Sequence, residues 1–126
     1  MGSEMCIRDS AWAGWENALA SSANLGRAVS APADYARAFA RLENHYFRNL
    51  GWLDGDDWII RNASSLGDIP GHIVQGRDDV ICPPASAWRL AGAWDKAELK
   101  IIPGAGHALS EPGISAQLLR IMDGLR

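Results

Sequence analysis

The sequence predicts an α/β protein in which a helical first half precedes a short parallel β-sheet flanked by helices. Residues up to about 67 show helical spacing of apolar side chains almost throughout. After Asp68, two short apolar runs, each followed by a loop and a helix, give the β-α-β-α order of a parallel sheet. With 126 residues, 48% of them hydrophobic, the chain is long enough for one globular domain with a core.

The first half is predicted to form three helices. The first covers residues 11–24, where tryptophans and a leucine lie at helical spacing. The second begins near Pro32, which suits a first turn, and ends at Gly51, which can cap it. The third covers residues 56–66 and opens with two aspartates, which stabilise a helix N-terminus. The apolar residues of the second helix recur in steps of three and four at Tyr35, Phe39, Leu42, Tyr46 and Leu50.

The second half is predicted to contain two strands and two helices. IPGHIVQG at 69–76 and AELKIIPG at 97–104 are short apolar runs with glycine or proline at their ends, typical of buried strands. PPASAWRLAGAW at 83–94 begins with prolines and predicts a helix, and residues 113–125 predict an amphipathic one. Because two parallel strands do not make a stable sheet by themselves, we expect their neighbours in a partner or a longer parent chain.

Residues 1–10, MGSEMCIRDS, differ in character from the rest of the chain. They lack the apolar stretch of a signal peptide. The hexapeptide MCIRDS looks like the translation of a sequencing-library adapter, so we predict that residues 1–10 are not native. The alternative is a frayed native N-terminus, and the segment is set aside from the predicted fold in either case.

Composition excludes several classes of function. The net charge of −3 and a pI near 5.5 give no basic surface for nucleic acid. No apolar run reaches the roughly 18–20 residues of a membrane span. Cys6 and Cys82 are too few for a disulfide framework and lack the spacing of metal ligands. We therefore predict a cytoplasmic protein without a metal or another cofactor.

An acid and a histidine follow the two predicted strands. In open α/β sheets, reactive side chains lie on loops beyond the C-terminal ends of the strands. Asp78 and Asp79 follow the first strand and His107 the second, which is the Ser-Asp-His chain order of α/β-hydrolases with the serine absent. The alternative is structural, because the aspartates could form a polar turn and the histidine could bond to a backbone carbonyl. Position alone leaves both readings, and the choice of aspartate, open.

The segment GHIVQGRDDVICPPASAWRLAGAWDKAELKIIPGAGHALSEP is similar to the tail of bacterial proline iminopeptidases. That family has the loop motifs GRxDxxCP and GHSxxEP. ARLENHYF resembles a helix of its cap domain, and WEN at 15–17 resembles an earlier cap turn. The resemblance, from Trp12 to Arg126, implies the C-terminal part of an α/β-hydrolase fold, its last two parallel strands with their helices, preceded by cap helices. It assigns residues 11–67 to the cap and 68–126 to the catalytic domain.

The resemblance also implies a role for each site residue. Asp79 falls on the catalytic acid and Asp78 on a variable position, while His107 falls on the general base. Ala108 replaces the serine that usually follows this histidine. Glu43 and Glu16 fall on acidic residues that bind the free amino terminus of the substrate, which would be a peptide beginning with proline.

The roles of the glutamates and of Cys82 have structural alternatives. Glu43 could face solvent or pair with Arg41 or Arg48, and Glu16 could lie on a helix surface. Aromatic side chains nearby would form an apolar slot for the proline ring, but the sequence does not identify them. Cys82 is expected beside the site, either reachable by thiol reagents or buried and inert, and in neither case the nucleophile.

The nucleophile motif G-x-S-x-G and an HGG-type oxyanion loop do not occur in the sequence. We therefore expect a C-terminal fragment that is inactive and marginally stable by itself. The leading prediction is a serine-type aminopeptidase that releases N-terminal proline. The alternatives are another cap-bearing α/β-hydrolase, such as an esterase or an epoxide hydrolase, and a non-catalytic binding module. The oligomeric state and the exact substrate preference do not follow from the sequence.

Overall fold

The structure is a computed structural model that describes residues 2–27 and 29–125. It is an α/β fold, as the sequence predicts, in which three helices precede a strand-helix-strand-helix unit. Single 3₁₀ turns at Leu50–Trp52 and Ala63–Leu66 follow the second and third helices. The main elements are α1 (Gly2–Ala20), α2 (Ala33–Arg48), α3 (Trp58–Asn62), β1 (Gly71–Gly76), α4 (Pro84–Ala93), β2 (Ala97–Ile102) and α5 (Pro112–Gly124).

The two strands pair in parallel, with Gly71 opposite Ala97 and Gly76 opposite Ile102. Helix α4 forms the crossover and contacts both strands, while α5 packs against β1. Because parallel strands run in the same direction, the loops that leave β1 and β2 emerge at one edge of the sheet. This confirms the predicted βαβα unit and brings the two chemistry-bearing loops side by side.

Helices α1 and α2 pack against each other through small residues. Ala13, Ala36 and Ala40 are buried, and their short side chains let the two backbones approach closely. A Cβ atom on Gly14 would lie 2.6 Å from the carbonyl oxygen of Val29, so the connection between the helices also passes close to α1.

The helix boundaries differ from the predictions at three places. Helix α1 begins at Gly2, because no glycine or proline interrupts residues 3–13, and ends at Ala20, where a turn begins. Helix α2 ends at Arg48, and Gly51 lies in the following turn with a φ of 60°. In the third helix, the Asp57 side chain bonds to Arg61 instead of capping a backbone N–H, and the last turn tightens to 3₁₀. The non-native origin of residues 1–10 stays a prediction.

Large apolar side chains remain on the surface. No large side chain among the described residues is fully buried, and Trp88 keeps 71% of its surface exposed. Leu119, Met122 and Leu125 of the α5 region are similarly exposed. Apolar surface on this scale is typical of faces covered by further protein.

Among the described helices, none has both the length and the apolar character needed to cross a membrane.

Candidate active site

The loops that follow β1 and β2 are joined by backbone hydrogen bonds. The N–H of Arg77 donates to the carbonyl of Ile102 at 2.9 Å, and the N–H of Asp78 donates to that of Ala105, also at 2.9 Å. Gly76 allows this contact, because a Cβ atom there would lie 2.1 Å from the carbonyl oxygen of Gly106. The aspartate loop and the histidine loop are therefore held against each other at the edge of the sheet.

Asp79 and His107 meet at this edge. The Oδ2 atom of Asp79 lies 3.0 Å from Nδ1 of His107. The aspartate side chain is 5% exposed and the histidine side chain 41%, so the acid is buried beneath a base that reaches the surface. Because Nδ1 is committed to Asp79, Nε2 is the ring nitrogen left to exchange a proton with a nucleophile.

The carboxylate of Asp79 is held in its ionised form. Oδ1 accepts hydrogen bonds from the N–H groups of Ile81 at 3.0 Å and Cys82 at 2.8 Å. Oδ2 also accepts one from Nε2 of Gln75 at 3.1 Å. Burial acts to raise the pKa of Asp79, but the bonds from Cys82, His107 and Gln75 outweigh it and lower the pKa below its ordinary value. An ionised carboxylate at this position stabilises an imidazolium on His107.

The two adjacent aspartates have different surroundings. Asp78 is exposed, whereas Asp79 is buried and contacts the imidazole. Sequence reasoning missed Gln75. Its amide also donates to the carbonyls of Gly76 and Cys82, and it therefore connects the loop after β1 to the strand. The available signal was a polar residue that follows Ile73 and Val74 near the end of β1.

A cavity of about 240 Å³ lies between the helices and the strand-end loops. Three of the four predicted site residues line it, and the fourth, Asp79, contacts His107. The cavity therefore joins the acid–base pair to the first two helices. Its lining residues are Glu16, Asn17, Ala20, Tyr35, Phe39, Glu43, Ile81 and His107.

Two carboxylates face this cavity. Glu16 is 8% exposed, and its pKa is raised first by burial and then by the negative charge of Glu43, against a lowering effect of His107. Glu43 is half-buried and accepts a hydrogen bond from the indole N–H of Trp12 on α1. Among the described residues, neither Arg41 nor Arg48 forms an ion pair with Glu43. A cation in the cavity would relieve the repulsion between the two carboxylates.

Tyr35 and Phe39 form an aromatic wall of the cavity. Their rings are stacked, with centroids 5.5 Å apart and an interplanar angle of 16°. The sequence signal for this wall was available, because residues 35, 39 and 43 are four apart and share one face of α2. The cavity thus has an apolar wall on the same helix as one of its carboxylates.

Cys82 lies beside the acid, as expected, and it is exposed. Its thiol pKa is raised, first by partial burial and then by the charges of Asp79 and Glu16, so the reactive thiolate is disfavoured.

No group of three or more histidine, cysteine, aspartate or glutamate side chains in residues 2–27 and 29–125 could hold a metal ion. The contact between Asp79 and His107 makes acid–base chemistry available at the site.

The chain is similar to several proteins named proline iminopeptidase. It is 51% identical to the protein from Xanthomonas citri over 92 residues, 73% of this chain and 29% of that protein. For the relatives from Arabidopsis thaliana and Neisseria gonorrhoeae, identity is 48% over 111 residues and 41% over 121 residues. These matches cover 86% and 95% of this chain, and 29% and 38% of the relatives. The chain thus spans less than two fifths of these relatives' lengths, and no protein-family model matches it.

A solved structure with a similar fold is that of a serine hydrolase involved in carbazole degradation, the CarC enzyme. The TM-score is 0.52 and the sequence identity 28%, over 74% of this chain and 36% of that chain. The similarity places the two parallel strands and their helices within an α/β-hydrolase fold.

Proposed function

The chain belongs to the proline iminopeptidase family of α/β-hydrolases, and on this premise we propose that it contributes the acid, the base and the amine-binding carboxylates of a serine-type aminopeptidase. The substrate is a peptide with a free N-terminal proline. The observation that carries the proposal is the shared cavity, in which Glu16 and Glu43 face the same space as His107. The hydrogen bond between His107 and Asp79 gives that histidine a fixed orientation.

In the proposed reaction, His107 accepts the proton of a serine hydroxyl through Nε2 while Asp79 stabilises the resulting imidazolium. The serine oxygen attacks the carbonyl carbon of the N-terminal proline and forms a tetrahedral intermediate. The imidazolium then gives its proton to the leaving amine as the C–N bond breaks, which leaves a prolyl acyl-enzyme. In the second half of the reaction, His107 takes a proton from water, and the water oxygen displaces the serine and releases proline. Since no serine of the printed sequence lies in a G-x-S-x-G motif, the nucleophile and the oxyanion donors come from another part of a longer protein.

Substrate recognition is assigned to the two glutamates and the aromatic wall. The nitrogen of an N-terminal proline is cationic, whereas the nitrogen of an internal peptide bond is neutral. Carboxylates in a half-closed cavity therefore select the chain end by charge and hydrogen bonding. Tyr35 and Phe39 offer an apolar surface for the five-membered ring of the proline.

The domain assignment belongs to the same proposal. Residues 11–67 are cap, and residues 68–126 are the C-terminal part of the catalytic domain. Residues 1–10 are a non-native extension. The cavity then lies between the cap and the catalytic domain, where α/β-hydrolase sites are built from strand-end loops below and helices above. The enzyme is cytoplasmic in this proposal.

A chimaera tests the proposal. Residues of this chain replace the 121-residue segment of the Neisseria gonorrhoeae relative to which they align, and release of β-naphthylamine from prolyl-β-naphthylamide is measured. We expect a prolyl aminopeptidase whose kcat/KM falls about 10²- to 10⁴-fold when both glutamates are changed to glutamine, because each charged hydrogen bond contributes about 1.5–3 kcal/mol. Glu98→Gln, at the opposite end of β2, is the matched control and should retain activity.

The same chimaera separates the alternatives. An esterase or epoxide hydrolase needs the acid and the base but not the two glutamates. If Glu16→Gln/Glu43→Gln leaves prolyl hydrolysis unchanged, the assignment of these residues to the amine is wrong. If the unmodified chimaera hydrolyses simple esters but no prolyl amide, the aminopeptidase proposal itself is wrong.

A further inference from the structure

Glu111 is a buried carboxylate on the histidine loop that the proposed reaction does not use. It is 6% exposed and lies four residues after His107. Its Oε1 accepts a hydrogen bond from the backbone N–H of Ser22 at 2.6 Å, and its Oε2 accepts one from the Ser22 hydroxyl at 3.1 Å. The bond from the Ser22 N–H, supported by Ser21 and Gly106, outweighs burial and lowers the pKa of Glu111. Its partners therefore belong to the turn directly after α1, which we count with the end of that helix, and to the histidine loop itself.

Backbone contacts join the same two segments. The N–H of Ala108 donates to the carbonyl of Ala20, the last residue of α1, at 2.6 Å. A Cβ atom on Gly106 would lie 3.1 Å from the nitrogen of Ser22 and 3.3 Å from the carbonyl oxygen of Ala20. The loop that carries His107 thus lies directly on the end of α1, with little room for displacement.

Glu111 is itself held firmly. Its N–H donates to the carbonyl of Ala108 at 3.0 Å, and its carbonyl accepts from the N–H of Ser115 at 2.9 Å. It therefore links the first turn of α5, the histidine loop and the end of α1. Helix α1 carries Glu16 and the loop carries His107, and both residues line the cavity.

We propose that Glu111 is a positioning residue that fixes the histidine loop against the end of α1, so that the imidazole of His107 and the carboxylate of Glu16 keep a set separation. An aminopeptidase requires this separation, because the substrate amine and the scissile carbonyl belong to the same residue. An ester without an amine requires the imidazole but not Glu16, and Asp79 holds the imidazole independently. The functional consequence rests on the proposed aminopeptidase activity, whereas the physical link does not.

The kinetic test uses the chimaera with Glu111→Gln, which keeps the side-chain size but replaces one accepting oxygen with a donor. We expect kcat/KM for prolyl-β-naphthylamide to fall up to about 100-fold, the effect of a displacement near 1 Å, while p-nitrophenyl acetate hydrolysis falls less than about threefold. Ser22→Ala, which removes only the hydroxyl bond, should give a smaller loss with the same substrate dependence. Glu98→Gln is the control. Equal losses on both substrates, or no loss, would overturn the proposal.

An exchange measurement decides the physical link without any activity. In the chimaera, Glu111→Gln should accelerate amide hydrogen exchange about tenfold or more at Ser22, which loses a charged acceptor, and at Ala108, whose bond to Ala20 joins the same two segments. Amides within the β1–β2 pairing, such as that of Lys100, should be unaffected. Three results would overturn the link between Glu111 and the end of α1. The exchange rate at Ser22 could be unchanged in the variant, or exchange could accelerate equally at all amides. The Ser22 amide could also be unprotected before the substitution is made. If the unmodified chimaera cleaves no prolyl amide, the proposed function fails and this measurement still decides the role of Glu111.

Discussion

Asp79 and Glu16 are both buried acids near His107, yet their surroundings shift their pKa values in opposite directions. Asp79 receives two backbone N–H groups, whereas Glu16 faces the negative charge of Glu43. Environments that separate the pKa values of neighbouring carboxyl groups also separate their roles. Asp79 is suited to stabilise a charged imidazole permanently, and Glu16 is suited to receive a cation when one enters.

The adjacent pair Asp78 and Asp79 allows a matched test of the acid. In the chimaera, Asp79→Asn should lower kcat by up to about 10⁴-fold, because an asparagine no longer stabilises the imidazolium or selects the required tautomer of His107. Asp78→Asn, which alters an exposed neighbour, should leave kcat nearly unchanged. The measurement is steady-state hydrolysis of prolyl-β-naphthylamide. Comparable losses in both variants would contradict the assignment of Asp79.

The opposite pKa shifts predict opposite effects of pH on stability. Asp79 has a lowered pKa, so its ionised form stabilises the fold above the ordinary aspartate value near 4, and this contribution is lost as pH falls through the folded pKa. Glu16 has a raised pKa, so its ionisation costs stability as pH rises through the folded pKa, and the cost is absent below the unfolded value. At pH 7, Glu16→Gln should therefore raise the free energy of unfolding, and Asp79→Asn should lower it.

Urea unfolding of the chimaera and its variants between pH 3 and pH 8 measures these differences. The gain from Glu16→Gln should disappear towards pH 4, and the loss from Asp79→Asn should shrink as the acid range is reached. A difference from the unsubstituted chain that does not vary with pH would show that ionisation is not its cause. Asp78→Asn serves as the control for removing an exposed negative charge.

Among the elements, the α1–α2 contact determines whether both glutamates face the same cavity. Glu16 lies on α1 and Glu43 on α2, and the bond from Trp12 to Glu43 crosses between the helices. The contact depends on alanines, of which Ala36 is fully buried. Ala36→Leu should destabilise the chain by about 1–3 kcal/mol through overpacking, whereas Ala38→Leu on the exposed side of α2 should have little effect. Thermal and urea unfolding of the two variants in the chimaera provide the comparison.

The second variant also controls for helix propensity, because both substitutions place leucine in the middle of α2. In the chimaera, Ala36→Leu should also weaken prolyl hydrolysis more than ester hydrolysis, since it separates the helices proposed to bind the amine. If the two leucine variants have the same free energy of unfolding, the buried alanines do not control the packing of α1 against α2.

The secondary structure was largely predictable, because the signals for most elements are local. The spacing of apolar residues identified α2, and glycines and prolines bounded both strands. The start of α1 was missed because residues 1–10 were set aside, although nothing in them interrupts a helix. The 3₁₀ ending of the third helix was missed because it depends on how the Asp57 side chain is used.

The site was predictable to the level of motifs but not of contacts. Position alone could not choose between Asp78 and Asp79, and the resemblance to a family was needed for that choice. Two partners depend on tertiary contacts that periodicity does not encode: Trp12 for Glu43, and Ser22 for Glu111. The contact of Gln75 with Asp79 is local, but it depends on how the loop after β1 folds back on the strand.

At the scale of the whole molecule, the two-stranded sheet is too small to cover the apolar side chains that the surrounding helices expose. Its two strands, in the order β1-β2, are covered by helices that still expose large apolar side chains. Strands in parallel sheets are normally buried on both faces and flanked by further strands. We expect the strand edges and the exposed faces of α4 and α5 to be covered by the remainder of a longer hydrolase.

This predicts different behaviour for the isolated chain and the chimaera. The isolated chain should bind a hydrophobic dye such as ANS, unfold with low cooperativity, and release no proline above background from prolyl-β-naphthylamide. A triad without its nucleophile and oxyanion donors retains almost none of its rate enhancement, because these groups act as a unit. In the chimaera the same residues should melt cooperatively and support hydrolysis that Asp79→Asn abolishes. A sharp, high-temperature melt of the isolated chain would contradict the expected role of the missing strands. Robust proline release by that chain would contradict the requirement for a serine from elsewhere, because His107 and Asp79 would then act with a nucleophile within these 126 residues.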